Sequence, residues 1–187
     1  LGIANHVAIG QHMARSAQRE MERRDLERDL ELTAAVQMLL LPKQRDYVVA
    51  DTSMASLYQP VSRSGGDWWG LETLENGTLR VFIGDVTGHG AGAAMVTSAV
   101  AGGRRALTLG TNGQAAAARV IEDMTAVQTS VCEGRYSMTL SMLELTPNTG
   151  EVRWWSAGAM PLLHMGADGR VSAKSAGAST PLGGWPM

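Results

Sequence analysis

The chain has 187 residues, of which 44% are apolar, with a formal net charge of −2 and a single cysteine. This length suits one domain, or one domain with a helical extension, and the apolar fraction is sufficient for a hydrophobic core. The small net charge argues against nucleic acid and acidic membranes as partners. A single cysteine forms no internal disulfide, which favours a cytoplasmic location. No stretch approaches the ~20 apolar residues of a membrane span.

Residues 1–41 predict one long helix that acts as a linker. They contain no proline, and Gln18–Leu32 is rich in Arg, Glu and Leu, which favour helix. Apolar or small residues recur at alternating four- and three-residue steps from Ile3 to Met21, and the pattern resumes on another face at Leu26 and Leu30. The pattern predicts either an imperfect coiled coil that forms a homodimer or a solvated connecting helix.

Residues 42–187 alternate short strands with one pair of helices. Val48–Tyr58 predicts a strand, and Trp68–Leu74 and Thr78–Ile83 predict a hairpin that turns at Asn76-Gly77, because Asn-Gly is the strongest short hairpin signal. The alanine-rich segment from residue 90 to 109 predicts a helix.

A second helix is expected to start at a cap on Thr111 or Asn112 and to run to about Gln128. Alternating side chains then predict strands over 136–142, 152–156 and 162–165, separated by turn residues. Hairpin-linked strands with a grouped helix pair predict a mainly antiparallel α+β domain.

Two aspartates occupy unusual settings in the predicted hairpin. Asp67 follows two glycines near the start of one strand, and Asp85 follows Gly84 at the end of the other, so the turn brings the two carboxylates together at the open end. Such carboxylates repel each other unless a cation lies between them, and Mg²⁺ or Mn²⁺ suits carboxylates and backbone carbonyls as ligands. The alternatives are a strand-start aspartate at Asp67 and a helix cap at Asp85.

Several short motifs follow one another over residues 36–187: Leu39-Leu40-Leu41-Pro42, Tyr58-Gln59-Pro60, Ser64-Gly65-Gly66-Asp67-Trp68, Ile83-Gly84-Asp85-Val86-Thr87-Gly88-His89-Gly90, Gly134-Arg135-Tyr136, Ala157-Gly158 and Pro181-Leu182-Gly183. In order and spacing they resemble the SpoIIE-like bacterial branch of the PPM metal-dependent serine/threonine protein phosphatases. The resemblance implies an antiparallel β-sandwich flanked by helices.

The same resemblance implies the site and its chemistry. Asp85 would bridge two Mn²⁺ or Mg²⁺ ions, the Val86 backbone carbonyl would bind one of them, and Asp67 would be a further ligand. Water would hydrolyse a phosphoserine or phosphothreonine, usually on a STAS-type anti-sigma-factor antagonist in bacterial signalling. His89 would donate a proton to the leaving oxygen, unless it is only a loop residue bonded to its own backbone.

The sequence also departs from this pattern. The family carries two further metal-binding aspartates beyond the motif at Pro181, and this sequence has neither; Ala159 stands where relatives often have histidine. We therefore expect residues 42–187 to form a partial domain that is weakly active or inactive by itself. The alternative is a regulatory or dimerisation module without catalysis.

A glycine pattern after Asp85 resembles a dinucleotide-binding fingerprint but lacks its context. Residues 88–93 fit G-x-G-x-x-G/A, yet that fold needs a second strand carrying an acid about twenty residues on. Residues 104–111 contain neither an acid nor a strand pattern. A nucleotide-binding Rossmann unit is therefore disfavoured.

Overall fold

A computed structural model of the chain describes residues 2–60, 65–111, 115–174 and 179–184. None of the helices in these ranges is both long enough and apolar enough to cross a membrane. The elements in chain order are α1 (Gly2–Leu39), β1 (Asp46–Val49), β2 (Thr52–Ala55), β3 (Gly65–Thr73), β4 (Leu79–His89), α2 (Ala91–Thr111), α3 (Ala117–Cys132), β5 (Met138–Thr146), β6 (Glu151–Ala157), β7 (Leu162–Met165) and β8 (Val171–Lys174).

Helix α1 confirms the long N-terminal helix. Pairs one turn apart stabilise its exposed surface, such as Arg24 donating to Glu20 over 3.1 Å. Met21 and Leu26, one from each apolar pattern, are exposed. Among the described side chains of α1 only Gln37 is buried, near the end of the helix, and α1 also packs on α2. The rest of the described chain therefore leaves most of α1 uncovered.

The segment predicted as one strand, Val48–Tyr58, is instead part of a tight hairpin. β1 and β2 pair antiparallel along their whole length, with Asp46 opposite Ala55 at the end far from the turn. The chain reverses at Ala50, which has φ +53°. The single-strand prediction was wrong because the reversal uses an alanine in the left-handed region. No glycine or Asn-Gly pair marks it in the sequence.

The central sheet has the order β3-β4-β5-β6, and each neighbouring pair is antiparallel. The β3–β4 hairpin closes through Asn76-Gly77, where Gly77 adopts φ +82° and Leu74 N donates to Thr78 O over 2.8 Å. Gly77 is needed because side chains rarely adopt this φ. The hairpin prediction is confirmed.

One face of the sheet is covered by the helix pair. α2 packs on β3 and β4, and α3 packs on α2. These contacts remove a continuous set of apolar side chains from water, which is the main favourable term in folding. Members of this core include Trp68, Phe82, Val86, Val96, Val100, Val120, Met124, Met138, Leu140 and Met142.

The predicted start of the second helix was wrong. Thr111 ends α2, and α3 begins only at Ala117, after Ala116 at the cap position without a side-chain cap bond. Asn112 lies outside the described residues. The helix ends at Cys132, with Glu133 in the left-handed conformation at φ +47°, rather than at about 128. A candidate cap residue therefore failed to locate this helix, because most helical stability in proteins comes from the packing of an apolar face rather than from local signals.

A charged cluster is buried beneath α2. Arg80 donates to Glu144 over 2.6 Å and to the Ala115 carbonyl over 2.8 Å, and it lies 3.6 Å from Glu72. Glu72 also pairs with Arg104, whose guanidinium stacks on the aromatic core. Burial lowers the pKa of Arg104 to about 10, so it stays charged at neutral pH. Two cations and two anions thus balance within the core.

The opposite face of the sheet carries the beginning of a second layer. Tyr47 of β1 packs edge-on against Trp69, with ring centroids 6.4 Å apart and planes at 78°. A cleft of about 500 Å³ lies between the β1–β2 hairpin and this face, lined among others by Met54, Asp67 and Ile83. The α+β class, with antiparallel sheets and a long N-terminal helix, is confirmed.

Candidate metal site

Asp67 and Asp85 are direct partners in the register of β3 and β4. Both residues are exposed, and their neighbours Trp68 and Val86 point into the core. Since side chains alternate along a strand, the two carboxylates lie on the sheet face opposite the helices, near the open end of the hairpin. The predicted proximity of the two aspartates is confirmed.

The carboxylate pair is electrostatically unfavourable as it stands. Partial burial, followed by the charge of Asp67, raises the pKa of Asp85. No ion pair to either carboxylate from a Lys or Arg is found within the described ranges. Two anions directly opposite each other on neighbouring strands destabilise the sheet, and a cation between them would remove this cost.

Gly66 leaves room for the backbone carbonyl of Val86 beside the two aspartates. A Cβ built on Gly66 would lie 2.9 Å from Asp85 Oδ1 and would collide with the carbonyl oxygen of Val86. Because Gly66 has no side chain, β3 can approach the Val86 carbonyl and the Asp85 carboxylate, which lie next to each other on β4. The Val86 side chain is buried, so only its carbonyl is available to a ligand.

His89 lies at the end of β4, exposed, as the register partner of Gly65. Gly88 and Gly90 on either side adopt φ +93° and +78°, so the histidine stands at a sharp change of chain direction. It occupies the same end of the hairpin as Asp67, two residues from it in register along β3. This position is compatible with contact to a ligand held by the two carboxylates.

The donor set fits a hard divalent cation as part of a site. Within residues 2–60, 65–111, 115–174 and 179–184 there is no group of three or more His, Cys, Asp or Glu side chains that could hold a metal ion. The two carboxylates and one carbonyl are all oxygen donors, which suit Mg²⁺ or Mn²⁺ rather than a thiophilic metal. Water and further ligands would complete the coordination.

Sequence reasoning missed three side chains that support this site. Gln37, Tyr58 and Thr97 come from α1, the segment after β2 and α2, and each donates a hydrogen bond to the backbone of residues 65–67. The available signal was a polar residue at position 37 among apolar neighbours near the end of α1. Their contacts span 9 to 31 residues in sequence, beyond the reach of local patterns.

Known structures define the class of the fold. The SiaA-PP2C domain of Pseudomonas aeruginosa superposes with a TM-score of 0.68 at 15% identity, covering 87% of this chain and 64% of that one. The structure of the RsbU and RsbW domains of Rv1364c from Mycobacterium tuberculosis gives 0.57 at 27% identity, covering 68% and 36%. The chain thus spans under two thirds of the SiaA-PP2C domain chain and about a third of the Rv1364c chain. Its fold is that of PPM-type phosphatase domains.

The family assignment is more specific. The sequence profile described as Stage II sporulation protein E (SpoIIE) matches residues 75–186, and the chain belongs to this family. Comparison with curated proteins gives no significant match. The family and structural relationships confirm the SpoIIE-like branch of PPM phosphatases, a class that uses divalent metals and acts in signalling.

Proposed function

We propose that residues 42–187 belong to the catalytic domain of a metal-dependent serine/threonine protein phosphatase, joined to a helical linker formed by residues 1–41. The substrate is a phosphorylated regulatory protein, and a STAS-type anti-sigma-factor antagonist in the bacterial cytoplasm is the expected one. Similarity to a chain that carries RsbU and RsbW domains together supports a regulatory-protein partner.

The observation that carries this proposal is the register pair Asp67–Asp85 beside the Val86 carbonyl. A structural aspartate at a strand start or a helix cap has no need of a second carboxylate directly across the sheet. The fold keeps both carboxylates at one place, and Gly66, which has no side chain, leaves room there for the Val86 carbonyl. Such an arrangement is stable with a bound cation and unfavourable without one.

In this proposal Asp67, Asp85 and the Val86 carbonyl hold Mn²⁺ or Mg²⁺. When bound, such ions make water nucleophilic at neutral pH and offset charge on the phosphoryl oxygens. Hydrolysis breaks the bond between phosphorus and the seryl or threonyl oxygen, and that oxygen must gain a proton. His89, exposed beside the pair, supplies this proton from a ring N–H.

The test is Mn²⁺-dependent hydrolysis of a phosphoserine peptide by the full-length gene product. Asp85→Asn should reduce turnover by roughly 100-fold or more, the scale of losing an electrostatic contact made in the transition state. Asp67→Asn should raise the Mn²⁺ requirement more than it lowers the maximal rate. Asp51→Asn, in the exposed β1–β2 turn, is the matched control. Turnover of Asp85→Asn within a few-fold of wild type at saturating Mn²⁺ would contradict the proposal.

A non-catalytic dimerisation or regulatory module is the second candidate. It is favoured by the large exposed surface of α1, which presents Ile9, Met13, Met21 and Leu26 to solvent. In that case the full-length gene product would dimerise, and Mn²⁺ would neither raise its melting temperature nor support hydrolysis. Comparing residues 1–187 with the full-length gene product tests in addition whether this part is weakly active by itself.

A further inference from the structure

The segment between α3 and β5 lies at the same end of the sheet as the candidate metal site. Thr87 N of β4 donates to Ser137 O over 2.9 Å, and Ser137 N donates to Thr87 Oγ1 over 3.1 Å, so the pairing of the two strands continues to the residue before β5. Because the strands are antiparallel, the residues before Ser137 lie on the side where His89 ends β4. Arg135 is therefore located at the open end of the β3–β4 hairpin.

The backbone on both sides of Arg135 is held by the two helices. Arg135 N donates to Cys132 O, at the end of α3, over 2.8 Å. Gln128 of α3 is fully buried and donates its side-chain amide to the next carbonyl, Tyr136 O. The Tyr136 side chain reaches the first turn of α2, where a Cβ on Gly92 would collide with its hydroxyl. The position of Arg135 is thus fixed by contacts with α2 and α3.

The Arg135 side chain, by contrast, extends into solvent. It is 80% exposed, and its ion-pair partner Glu133, at 3.9 Å, is 77% exposed. A long ion pair between two exposed side chains contributes little to stability. The fold therefore presents a guanidinium on a fixed backbone without using it to stabilise the domain.

Glu133 has an unfavourable backbone conformation for its residue type. It follows α3 in the left-handed region, with φ +47° and ψ +36°. Glycine or asparagine is usual at such a helix end, because other side chains are strained there. Helix termination alone gives no reason for glutamate at this position. Its observed effect is to place a carboxylate beside Arg135.

We propose that Arg135 is a specificity-determining residue: its guanidinium binds a carboxylate of the substrate protein near the phosphorylated residue, and Glu133 occupies it when no substrate is bound. This inference rests on the proposed phosphatase function. Arg135 is four residues from Thr139, the register partner of Asp85, which is at most about 13 Å of extended backbone. An extended substrate advances roughly 3.3 Å per residue, so the acidic residue lies within about four positions of the phosphoserine.

The expected kinetic effect follows from where this contact forms. A planar guanidinium binds a carboxylate through two parallel hydrogen bonds, which favours arginine for this task. The contact is remote from the bond that breaks and is equally present in the bound substrate and in the transition state. It therefore lowers KM and leaves kcat unchanged. If Arg135 is only a surface residue, neither constant depends on the charge of the substrate.

The test uses two phosphoserine peptides that differ only in charge. One carries Glu two, three and four positions to either side of the phosphoserine, and the other carries Gln at the same positions. With the full-length gene product at saturating Mn²⁺, the acidic peptide should have a KM roughly fivefold lower, the upper range for an exposed ion pair. Arg135→Met should abolish this preference without changing kcat. Arg119→Met, an exposed arginine paired with Asp123 at the opposite end of α3, should keep the preference.

Glu133→Gln and an aryl phosphate complete the experiment. Glu133→Gln removes the competing carboxylate at constant size, so the KM for the acidic peptide should fall further. If wild type with Mn²⁺ hydrolyses neither the peptides nor the aryl phosphate, the proposed function fails and this inference fails with it. If wild type hydrolyses the aryl phosphate but shows no preference between the peptides, or if Arg135→Met keeps the preference, only the specificity role is overturned.

Discussion

The carbonyl oxygen of Val86 occupies the space that a Cβ on Gly66 would need, so no side chain fits between the two strands at this position. Gly66→Ala would place its methyl group against this carbonyl and 2.9 Å from Asp85 Oδ1. The Asp85 side chain can turn aside, but the Val86 carbonyl belongs to the backbone of β4 and cannot move without disturbing the strand. We therefore expect a loss of about 1–3 kcal/mol in the free energy of unfolding from overpacking, together with weakened Mn²⁺ binding.

Urea denaturation and Mn²⁺ titration measure the two effects of Gly66→Ala. Gly102→Ala is the control, because Gly102 lies inside α2 with no atom near its missing side chain. That change should stabilise the chain by roughly 0.5–1 kcal/mol through helix propensity. A Gly66→Ala variant as stable as wild type and with unchanged Mn²⁺ affinity would show that the close approach has no function.

Asp85→Asn should stabilise the metal-free protein at neutral pH. The pKa of Asp85 is raised in the fold, so the folded state binds its proton more tightly than the unfolded chain. The stability that Asp85 contributes is therefore present at low pH and is lost as the pH rises through its folded pKa. Removing the charge recovers that loss, by less than about 1 kcal/mol since solvent screens the pair.

The measurement for Asp85→Asn is urea denaturation with chelator from pH 3 to 8. The advantage of the variant should be present at pH 7 and shrink toward acid. Added Mn²⁺ should reverse the order, because wild type gains more from the cation. If wild type remains at least as stable as the variant at pH 7 without metal, repulsion between the two carboxylates is negligible.

His89→Gln should separate proton donation from metal binding. With a phosphoserine peptide, turnover should fall by roughly 100-fold, because an alkoxide leaving group needs a proton. An aryl phosphate has a much better leaving group, so its turnover should change little. Equal losses on both substrates would show that His89 has no role as a proton donor.

Arg80→Met tests the buried charged cluster. The change leaves Glu144 without a cation and Glu72 with Arg104 alone, so the free energy of unfolding should fall by about 3–5 kcal/mol. Arg153→Met, in an exposed pair with Glu151, should cost under about 1 kcal/mol. Thermal and urea unfolding provide the comparison, and similar losses for the two variants would contradict the assigned importance of burial.

Dimerisation through α1 remains a prediction. Cross-linking of Ala17→Cys or Leu30→Cys, each in a Cys132→Ala background, tests the two apolar patterns separately. Position 17 lies in the small-residue pattern, whose burial contributes little per residue, so this contact should be weak. If neither position links two chains in the full-length gene product, α1 is only a connector.

The sequence predicted the site better than it predicted its support. Asp67 and Asp85 could be paired by counting outward from Asn76-Gly77, because a two-stranded hairpin has a fixed period and a marked turn. Ala50 carries no comparable mark, so the β1–β2 reversal was missed. The contact of Gln37 with Gly65 spans 28 residues, and packing between distant elements leaves no local pattern.

The length of α1 has a mechanical consequence. Its 38 residues extend about 57 Å at 1.5 Å per residue, and its buried attachment at Gln37 lies at one end. A rod anchored in this way is a lever. A tilt of a few degrees at the anchor moves the far end through several ångströms, and a modest lateral force on the far end becomes a large torque at the anchor. Leverage of this kind would let a weak interaction far along α1 disturb the hydrogen bond from Gln37 to the Gly65 carbonyl, close to the carboxylate pair.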